Sequence, residues 1–388
     1  MEALCAELGR PQDAYRSLHI VGTNGKTSTA VFCTEILRRR GWRVGTAISP
    51  HSRRWSERTL IDGAEIEPEP FAAAVERVGE AVGGVEASLE PGERVSQFEV
   101  AIAVSLVAFA EVGVEVAVVE AGLGGRLDAT NVLESTATAL TSVGLEHTEW
   151  LGETLTEIAV EKLAVLRPQS ALVVGPLPGS VMEQAAARAA ACEAELRPVE
   201  APTAPAAPPF LELAAAIALE LARTIDPGAE PLGELLAHAP GGRAELLGGD
   251  PPTLVDVAHN PDGAAALAAA IAALELARPR IGCAAVLADK DAEGMVEALT
   301  GELDRLICTA IEPRGGVGRP GARALAPASL AALAERAGIE AEVIADPARA
   351  VADALEQARR SRGVAIFFGS HYLLPYVWTA RSDQSCSR

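Results

Sequence analysis

The chain has 388 residues, of which 49% are apolar, so its length exceeds one ordinary hydrophobic core and two packed domains are expected. Acidic residues outnumber basic ones, 53 to 33, and a net charge of −20 excludes extended binding to nucleic-acid backbones. The six cysteines lack paired spacing, and no signal peptide or 18-residue apolar run occurs. We therefore expect a cytoplasmic protein without disulfides, zinc or membrane insertion.

The first half of the chain alternates short β-rich apolar runs with helical stretches rich in Ala, Leu and Glu. This alternation is typical of a mainly parallel sheet covered by helices. The predicted strands are Leu18–Val21, Val44–Ser49, Val114–Glu120, Ala137–Val143 and Ala171–Gly175.

A proline-rich loop at 201–209 and a helix at 211–223 precede Pro240-Gly241-Gly242, where we place a domain boundary. The sequence therefore predicts an α/β fold with an N-terminal domain of residues 1–240 and a smaller Rossmann-like α/β domain of residues 241–388. The strands predicted for the second domain are Thr253–Ala258, Cys283–Ala288, Leu306–Ala310, Glu342–Ile344 and Val364–Phe368.

A glycine turn connects the first strand to a helix and reads Gly22-Thr23-Asn24-Gly25-Lys26-Thr27-Ser28. Glycines let backbone N–H groups wrap around phosphate oxygens at a helix start. Lys26 would offset the phosphate charge, and Thr27 or Ser28 can reach phosphate or magnesium. The usual Walker spacing is not met, because Ile20 occupies the position of the leading glycine. The turn predicts a phosphate site.

Three side chains follow strands at the edge where open α/β sheets form their ligand crevice. Ser49 closes the second strand, Glu120 ends the third, and His147 follows the fourth. On its own, Ser49 would be a helix cap and His147 a structural histidine, whereas Glu120 needs a partner because it ends a buried strand.

The glycine turn and a series of further blocks resemble the dihydrofolate and folylpolyglutamate synthases of the Mur ligase superfamily. The blocks occur in family order over most of the chain. They are Ser49-Pro50-His51, Glu57-Arg58, Gln97-Phe98-Glu99, Glu120 to Asn131, Gly144-Leu145-Glu146-His147, Leu151 to Thr154, Ile158 to Lys162, Gly242-Arg243, and Asp256 to Pro261.

The resemblance implies a P-loop Mur-ligase ATPase domain followed by a glutamate-ligase domain. By position it implies Ser49, Glu120 and His147 as magnesium ligands, and Lys26, His147 and an N6-carboxylated Lys162 as catalytic residues. It implies nucleotide contacts at Arg243, Asp256, His259 and Asn260 besides residues 22–28. The implied pterin contacts are Ser96, Gln97, Phe98, Glu99, Leu127, Asp128 and Ala129.

Most of these residues have ordinary interpretations without the resemblance. Lys162, beside a glutamate on a helix, would be a solvated surface charge. Phe98 would be a core residue, Asp128 part of a polar turn, and Asn260-Pro261 a simple turn.

The implied activity is ATP- and Mg²⁺-dependent amide formation between a folate or pteroate carboxylate and L-glutamate, through an acyl phosphate. We expect a monomer that takes only small-molecule substrates. Two departures keep alternatives open: Thr27 stands where the folate branch usually has glycine, and Leu213 replaces a nucleotide-contacting asparagine. The alternatives are a Mur-type ligase for a different carboxylate and a non-catalytic nucleotide-binding regulatory protein.

Overall fold

The structure is a computed structural model that describes residues 1–201, 207–311 and 322–385. These residues form two compact units, one of residues 1–201 and 213–239 and the other of residues 207–212, 240–311 and 322–385. The division falls inside helix α8 (Pro209–Arg223). The boundary expected between residues 240 and 241 stays a prediction.

The first unit contains an eight-stranded sheet in the order β4-β3-β2-β5-β1-β6-β7-β8. The six neighbouring strands β2, β5, β1, β6, β7 and β8 are all parallel. At one edge of the sheet, β3 pairs antiparallel with β2, and β4 pairs antiparallel with β3. The strands are β1 (Arg16–Val21), β2 (Val44–Ala47), β3 (Thr59–Ile61), β4 (Ala64–Glu65), β5 (Val116–Glu120), β6 (Ala137–Leu140), β7 (Ala171–Val174) and β8 (Glu195–Pro198).

Helices with apolar faces cover this sheet, and the central strands are fully buried because both of their faces are packed. One core joins β1, β6 and β7 to the three helices that follow β6 and β7, and another joins β5 and β2 to the helix before β5. The helices are α1 (Glu2–Glu7), α2 (Lys26–Arg39), α3 (Pro68–Glu86), α4 (Gln97–Val112), α5 (Thr148–Leu151), α6 (Leu155–Leu163) and α7 (Gly179–Ala191).

The second unit contains a six-stranded sheet in the order β13-β12-β11-β14-β10-β9, with β9 antiparallel at its edge. Its elements are β9 (Glu245–Leu247), β10 (Thr253–Val255), α9 (Pro261–Ala273), β11 (Arg280–Ala284), α10 (Ala292–Ala298), β12 (Arg305–Cys308), α11 (Pro327–Arg336), β13 (Glu340–Val343), α12 (Pro347–Ser361), β14 (Val364–Phe368) and α13 (Leu374–Ser385).

The structure confirms the α/β class and the mainly parallel sheets, and each predicted strand has a counterpart. Among the helices in the described part of the chain, none combines the length and apolarity that crossing a bilayer requires. The five cysteines within that part are buried free thiols; Cys386 lies outside the described residues.

Candidate active site

The glycine turn between β1 and α2 has the backbone conformation that its glycines permit. Gly25 is left-handed (φ 86°) and caps α2, and Gly22 has φ 153°, where a Cβ would overlap the Thr141 hydroxyl. Thr141 Oγ1 donates to Asn24 O at 2.7 Å, and Ser142 Oγ accepts from Asn24 N at 2.9 Å. The end of β6 therefore holds the turn in place.

Sequence reasoning did not identify Thr141 and Ser142 as part of the site. Both follow β6, which lies directly beside β1 in the sheet. The sequence could have indicated them, because two hydroxyl side chains lie near the end of a predicted strand. Neighbouring parallel strands end at the same edge of a sheet, so these hydroxyls lie beside the phosphate turn.

The predicted metal ligands Ser49 and Glu120 lie together with Thr27. Glu120 is buried, and its Oε2 accepts from Thr27 Oγ1 at 3.0 Å and from the Ser49 N–H at 3.1 Å. Ser49 O lies 3.5 Å from the same threonine hydroxyl. One carboxylate is thus held by the start of α2 and by Ser49, two residues after the end of β2.

His147 lies on the loop that follows β6 and begins α5 in a left-handed conformation (φ 51°). Its Nε2 is 3.8 Å from Glu146 Oε1. This loop is tied to the glycine turn because Gly144 N donates to Thr23 Oγ1 at 3.0 Å. His147 is therefore attached to the turn through its own loop.

The oxygen donors around Glu120 fit magnesium. A carboxylate, a threonine hydroxyl and a backbone carbonyl are hard ligands, and Mg²⁺ fills its remaining positions with water and phosphate oxygens. Within the described ranges, no three His, Cys, Asp or Glu side chains form a metal-binding group by themselves. The arrangement suits a magnesium ion that is bound together with a nucleotide rather than one in a closed protein cage.

Lys26 and Lys162 both donate to the carbonyl of Gly22, each at 3.0 Å. Lys162 is only 4% exposed, so the surface-charge interpretation of its sequence position is wrong. Burial, together with the neighbouring Lys26 charge, lowers the pKa of the Lys162 amine to about 7. A substantial fraction of this amine is therefore uncharged near neutral pH.

The predicted substrate block Ser96–Glu99 begins α4. Ser96 and Glu99 form a reciprocal capping box, with Glu99 N donating to Ser96 Oγ and Ser96 N donating to Glu99 Oε2 at 2.8 Å. The Phe98 ring lies directly against Gly122, two residues after Glu120. Gln97 lines an apolar cavity of about 350 Å³ between α3, α4 and the segment 55–59.

Asp128 is buried, and its carboxylate is used within its own loop. It accepts from the N–H groups of Leu123 and Thr130 at 2.8 and 2.9 Å, and from Thr130 Oγ1 at 2.5 Å. Burial raises the pKa of Asp128, whereas these hydrogen bonds oppose the rise. Ala129 is buried beside it, but Leu127 is 82% exposed.

Four large exposed apolar side chains lie on the loop after Glu120 and on the segment 145–150 around His147. Leu123 and Leu127 follow β5, and Leu145 and Trp150 follow β6, with exposures between 41% and 82%. Exposed apolar groups of this size commonly mark a binding surface. These loops therefore offer contact area for an apolar part of a ligand.

In the second unit, four predicted nucleotide contacts lie around the carboxyl end of β10. The buried Asp256 carboxylate accepts from Ala244 N and Ala258 N, at 2.8 and 2.7 Å, and burial raises its pKa while the Arg243 charge lowers it. Asn260 caps α9 through Gly263 N, and His259 Nδ1 lies 2.9 Å from Val257 O.

Comparison with known proteins places this geometry in a class. Residues 242–371 match the family model described as "Mur ligase, glutamate ligase domain". A Mycobacterium tuberculosis folylpolyglutamate synthase solved with ADP and AMPPCP is 29% identical, superposes with a TM-score of 0.87, and the match covers 98% of this chain and 94% of that one. The fold and the site define an ATP-dependent ligase of the Mur type.

The relatives narrow the class to one family. The dihydrofolate synthase/folylpolyglutamate synthase of M. tuberculosis is 32% identical over 361 residues, covering 80% of this chain and 73% of the relative. A bifunctional folylpolyglutamate synthase/dihydrofolate synthase solved with Mn, AMPPNP and L-glutamate is 26% identical, with a TM-score of 0.81 and coverage of 98% and 94%. The chain belongs to the dihydrofolate synthase/folylpolyglutamate synthase family.

Proposed function

We propose that this chain uses ATP to join L-glutamate to the carboxylate of a folate-type acid, either dihydropteroate or a tetrahydrofolate. The observation that carries the proposal is the cluster at the ends of β1, β2 and β5: the glycine turn, Lys26 and the Glu120 carboxylate held by Thr27 and Ser49. Family membership favours this activity over a ligase for another carboxylate or a non-catalytic nucleotide-binding protein.

The reaction proceeds in two steps. A carboxylate oxygen of the acid attacks the γ-phosphorus of ATP, the bond to the β-phosphate oxygen breaks, and an acyl phosphate and ADP form. The glutamate amine then attacks the acyl carbon, the carbon–oxygen bond to phosphate breaks, and the amine gives up a proton as the amide forms. Both steps need reactants held in line and charge offset on phosphate oxygens.

The first unit supplies the groups that meet the phosphates. The first backbone N–H groups of α2, which begins at Lys26, lie at a helix start, where an anion is stabilised, and Lys26 would neutralise developing negative charge. Ser49, Glu120 and His147 would hold the magnesium ion, with Thr27 orienting the carboxylate. Magnesium, when bound, offsets the charge of the β- and γ-phosphate oxygens.

We further propose that Lys162 carries a carbamate. Its amine is buried next to Lys26, and its pKa of about 7 leaves the uncharged nucleophile that carbon dioxide requires. The amine nitrogen adds to the carbon of CO₂ and loses a proton, which replaces a buried cation by an anion beside Lys26. The carbamate anion would attract the Lys26 ammonium, whereas two ammonium groups in the same place repel each other.

The remaining predicted contacts are assigned by position. Arg243, Asp256, His259 and Asn260 would contact the nucleotide; Leu213, at the place of the family's asparagine, lies within α8. Gln97, Phe98 and Leu127 offer an amide, a ring and an exposed apolar side chain to the pterin-containing acid.

The proposal is tested by ADP release from purified protein with Mg²⁺ and glutamate, comparing dihydropteroate, tetrahydrofolate and no pterin. Lys26→Ala serves as the blank. Glutamate-dependent release with either acid supports the proposal and identifies the acid. Release that is independent of the acid, or absent while ATP still binds, contradicts it.

A further inference from the structure

His19 lies in the middle of β1 and is completely buried. Its Nε2 is 2.7 Å from Thr130 Oγ1, and Thr130 is itself completely buried. Thr130 belongs to the short helical turn 129–132 that ends the loop following β5. A buried imidazole of the central strand is thus joined to the loop beside Glu120.

The directions of these hydrogen bonds are determined by counting hydrogens. Thr130 Oγ1 lies 2.5 Å from Asp128 Oδ1 and donates its one hydrogen to that carboxylate oxygen. The hydroxyl must therefore accept from His19, which requires a hydrogen on Nε2. Complete burial agrees with a neutral ring, because it lowers the pKa of His19 to about 3.

The Asp128 carboxylate at the end of this series organises the loop. Its other oxygen accepts from Leu123 N at 2.8 Å, which closes the segment 123–128 on itself. The same segment is pinned to α6, since Arg126 N donates to Glu161 O at 3.0 Å. A Cβ at Gly125 would lie 2.8 Å from Lys162 O, so the loop packs directly on the turn that carries Lys162.

We propose that His19 is a positioning residue for the acid substrate: through Thr130 it fixes the Asp128 carboxylate and, with it, the loop that presents Leu127–Ala129. This inference rests on the proposed function, which assigns that loop to the acid. Loss of the His19 donor leaves the Thr130 hydroxyl free to turn away from Asp128. The loop then adopts several conformations, of which only one binds the acid.

Direct binding measurements test the inference without requiring turnover. Isothermal titration calorimetry is performed with dihydropteroate and, separately, with ADP and Mg²⁺. We expect His19→Leu to weaken dihydropteroate binding about tenfold while ADP binding stays within about twofold, because one hydrogen bond in a charged network is lost. His19→Gln keeps an N–H donor and should restore most of the affinity.

Two further variants separate positioning from a general loss of stability. Thr130→Val interrupts the same series from the other side, so His19→Leu combined with Thr130→Val should bind dihydropteroate no more weakly than either single variant. Thr138→Val is the matched control. Thr138 pairs with His19 across β1 and β6, and its buried hydroxyl bonds no protein atom in the described part of the chain.

Equal losses of dihydropteroate and ADP affinity in His19→Leu, or additive losses in the double variant, would overturn the inference. If the wild type binds dihydropteroate but releases no ADP, the proposed function fails and the binding comparison still decides the role of His19. If the wild type binds no pterin acid, the role of His19 toward the acid is overturned, and amide hydrogen exchange tests only whether His19 fixes the loop. Faster exchange at Leu123 in His19→Leu than in Thr138→Val supports that fixing, and equal exchange refutes it.

Discussion

Replacing Lys162 by methionine should make the protein more stable while abolishing its activity. The amine has a pKa of 10.5 when exposed and about 7 in the folded chain, so folding at pH 7.5 costs about 4 kcal/mol in removing or burying its proton. Methionine fills a similar volume without charge but forgoes the hydrogen bond to Gly22 O, which contributes about 1 kcal/mol. The expected net stabilisation is about 3 kcal/mol.

The pH dependence of this difference follows from the direction of the shift. Between pH 7 and pH 10.5 the unfolded chain holds a proton on Lys162 that the folded chain has released. The wild type therefore gains stability as pH rises, and loses it as pH falls toward 7. From pH 7.5 to pH 9.5, wild type should gain about 2–3 kcal/mol relative to Lys162→Met.

The assay is urea unfolding in CO₂-free buffer, followed by tryptophan fluorescence in a Trp378→Phe background. Trp42, Trp55 and Trp150, which remain, all belong to the first unit. Lys290→Met, which removes the same charge from a half-buried side chain of the second unit, is the control. A destabilised Lys162→Met, or a stability difference that does not change with pH, would contradict the depressed pKa of Lys162.

The same experiment with added bicarbonate examines the carbamate. A carbamate forms only on the folded wild type, so bicarbonate should stabilise wild type and leave Lys162→Met unchanged. Equal responses of the two proteins would contradict the carbamate while leaving the stability argument intact.

Three further predictions concern the turn, the metal and the buried histidine. Glu120→Gln should weaken Mn²⁺ binding in the presence of ADP by about 10–100-fold, measured by electron paramagnetic resonance, because the buried carboxylate charge is lost. Gly22→Ala should abolish ADP binding in calorimetry, since its Cβ would overlap Thr141; retained affinity would contradict the φ requirement. Between pH 7.5 and pH 5, wild type should lose about 2 kcal/mol more stability than His19→Gln in urea unfolding. The reason is that the pKa of His19 is about 3 in the folded chain and 6.5 in the unfolded chain, so the unfolded chain takes up the proton first as pH drops below 6.5. Equal losses in the two proteins would contradict the depressed pKa.

The sequence predicted the central strands because their apolar runs are short, β-branched and bounded by turn residues. It missed the edge strands β3, β4, β8 and β9, which are short or only partly buried, so they carry little apolar signal. The dipeptide Asp62-Gly63, which is typical of a β-hairpin turn, could have indicated β3 and β4. Both residues have positive φ and form the turn that joins the two strands.

The site residues were predicted from two sources only: their position at the ends of predicted strands, and the resemblance to a known family. Glu120 ends β5 and Ser49 follows the end of β2 by two residues, so their meeting follows from the parallel pairing of these two strands. Lys162 has the local sequence of an exposed helical charge, but its side chain is buried, and its amine donates to Gly22 O in the turn after β1. Long-range contacts of this kind are not encoded in the local pattern around a residue.

Thr27 shows how a departure in sequence acquires a physical meaning in the structure. Glycine at this position, usual in the folate branch, would leave the Glu120 carboxylate without the hydroxyl that now lies 3.0 and 3.2 Å from its two oxygens. The hydroxyl therefore links the first turn of α2 to the carboxylate at the end of β5. Because that link orients an oxygen pair that would face magnesium, we expect Thr27 to support magnesium binding rather than to weaken it.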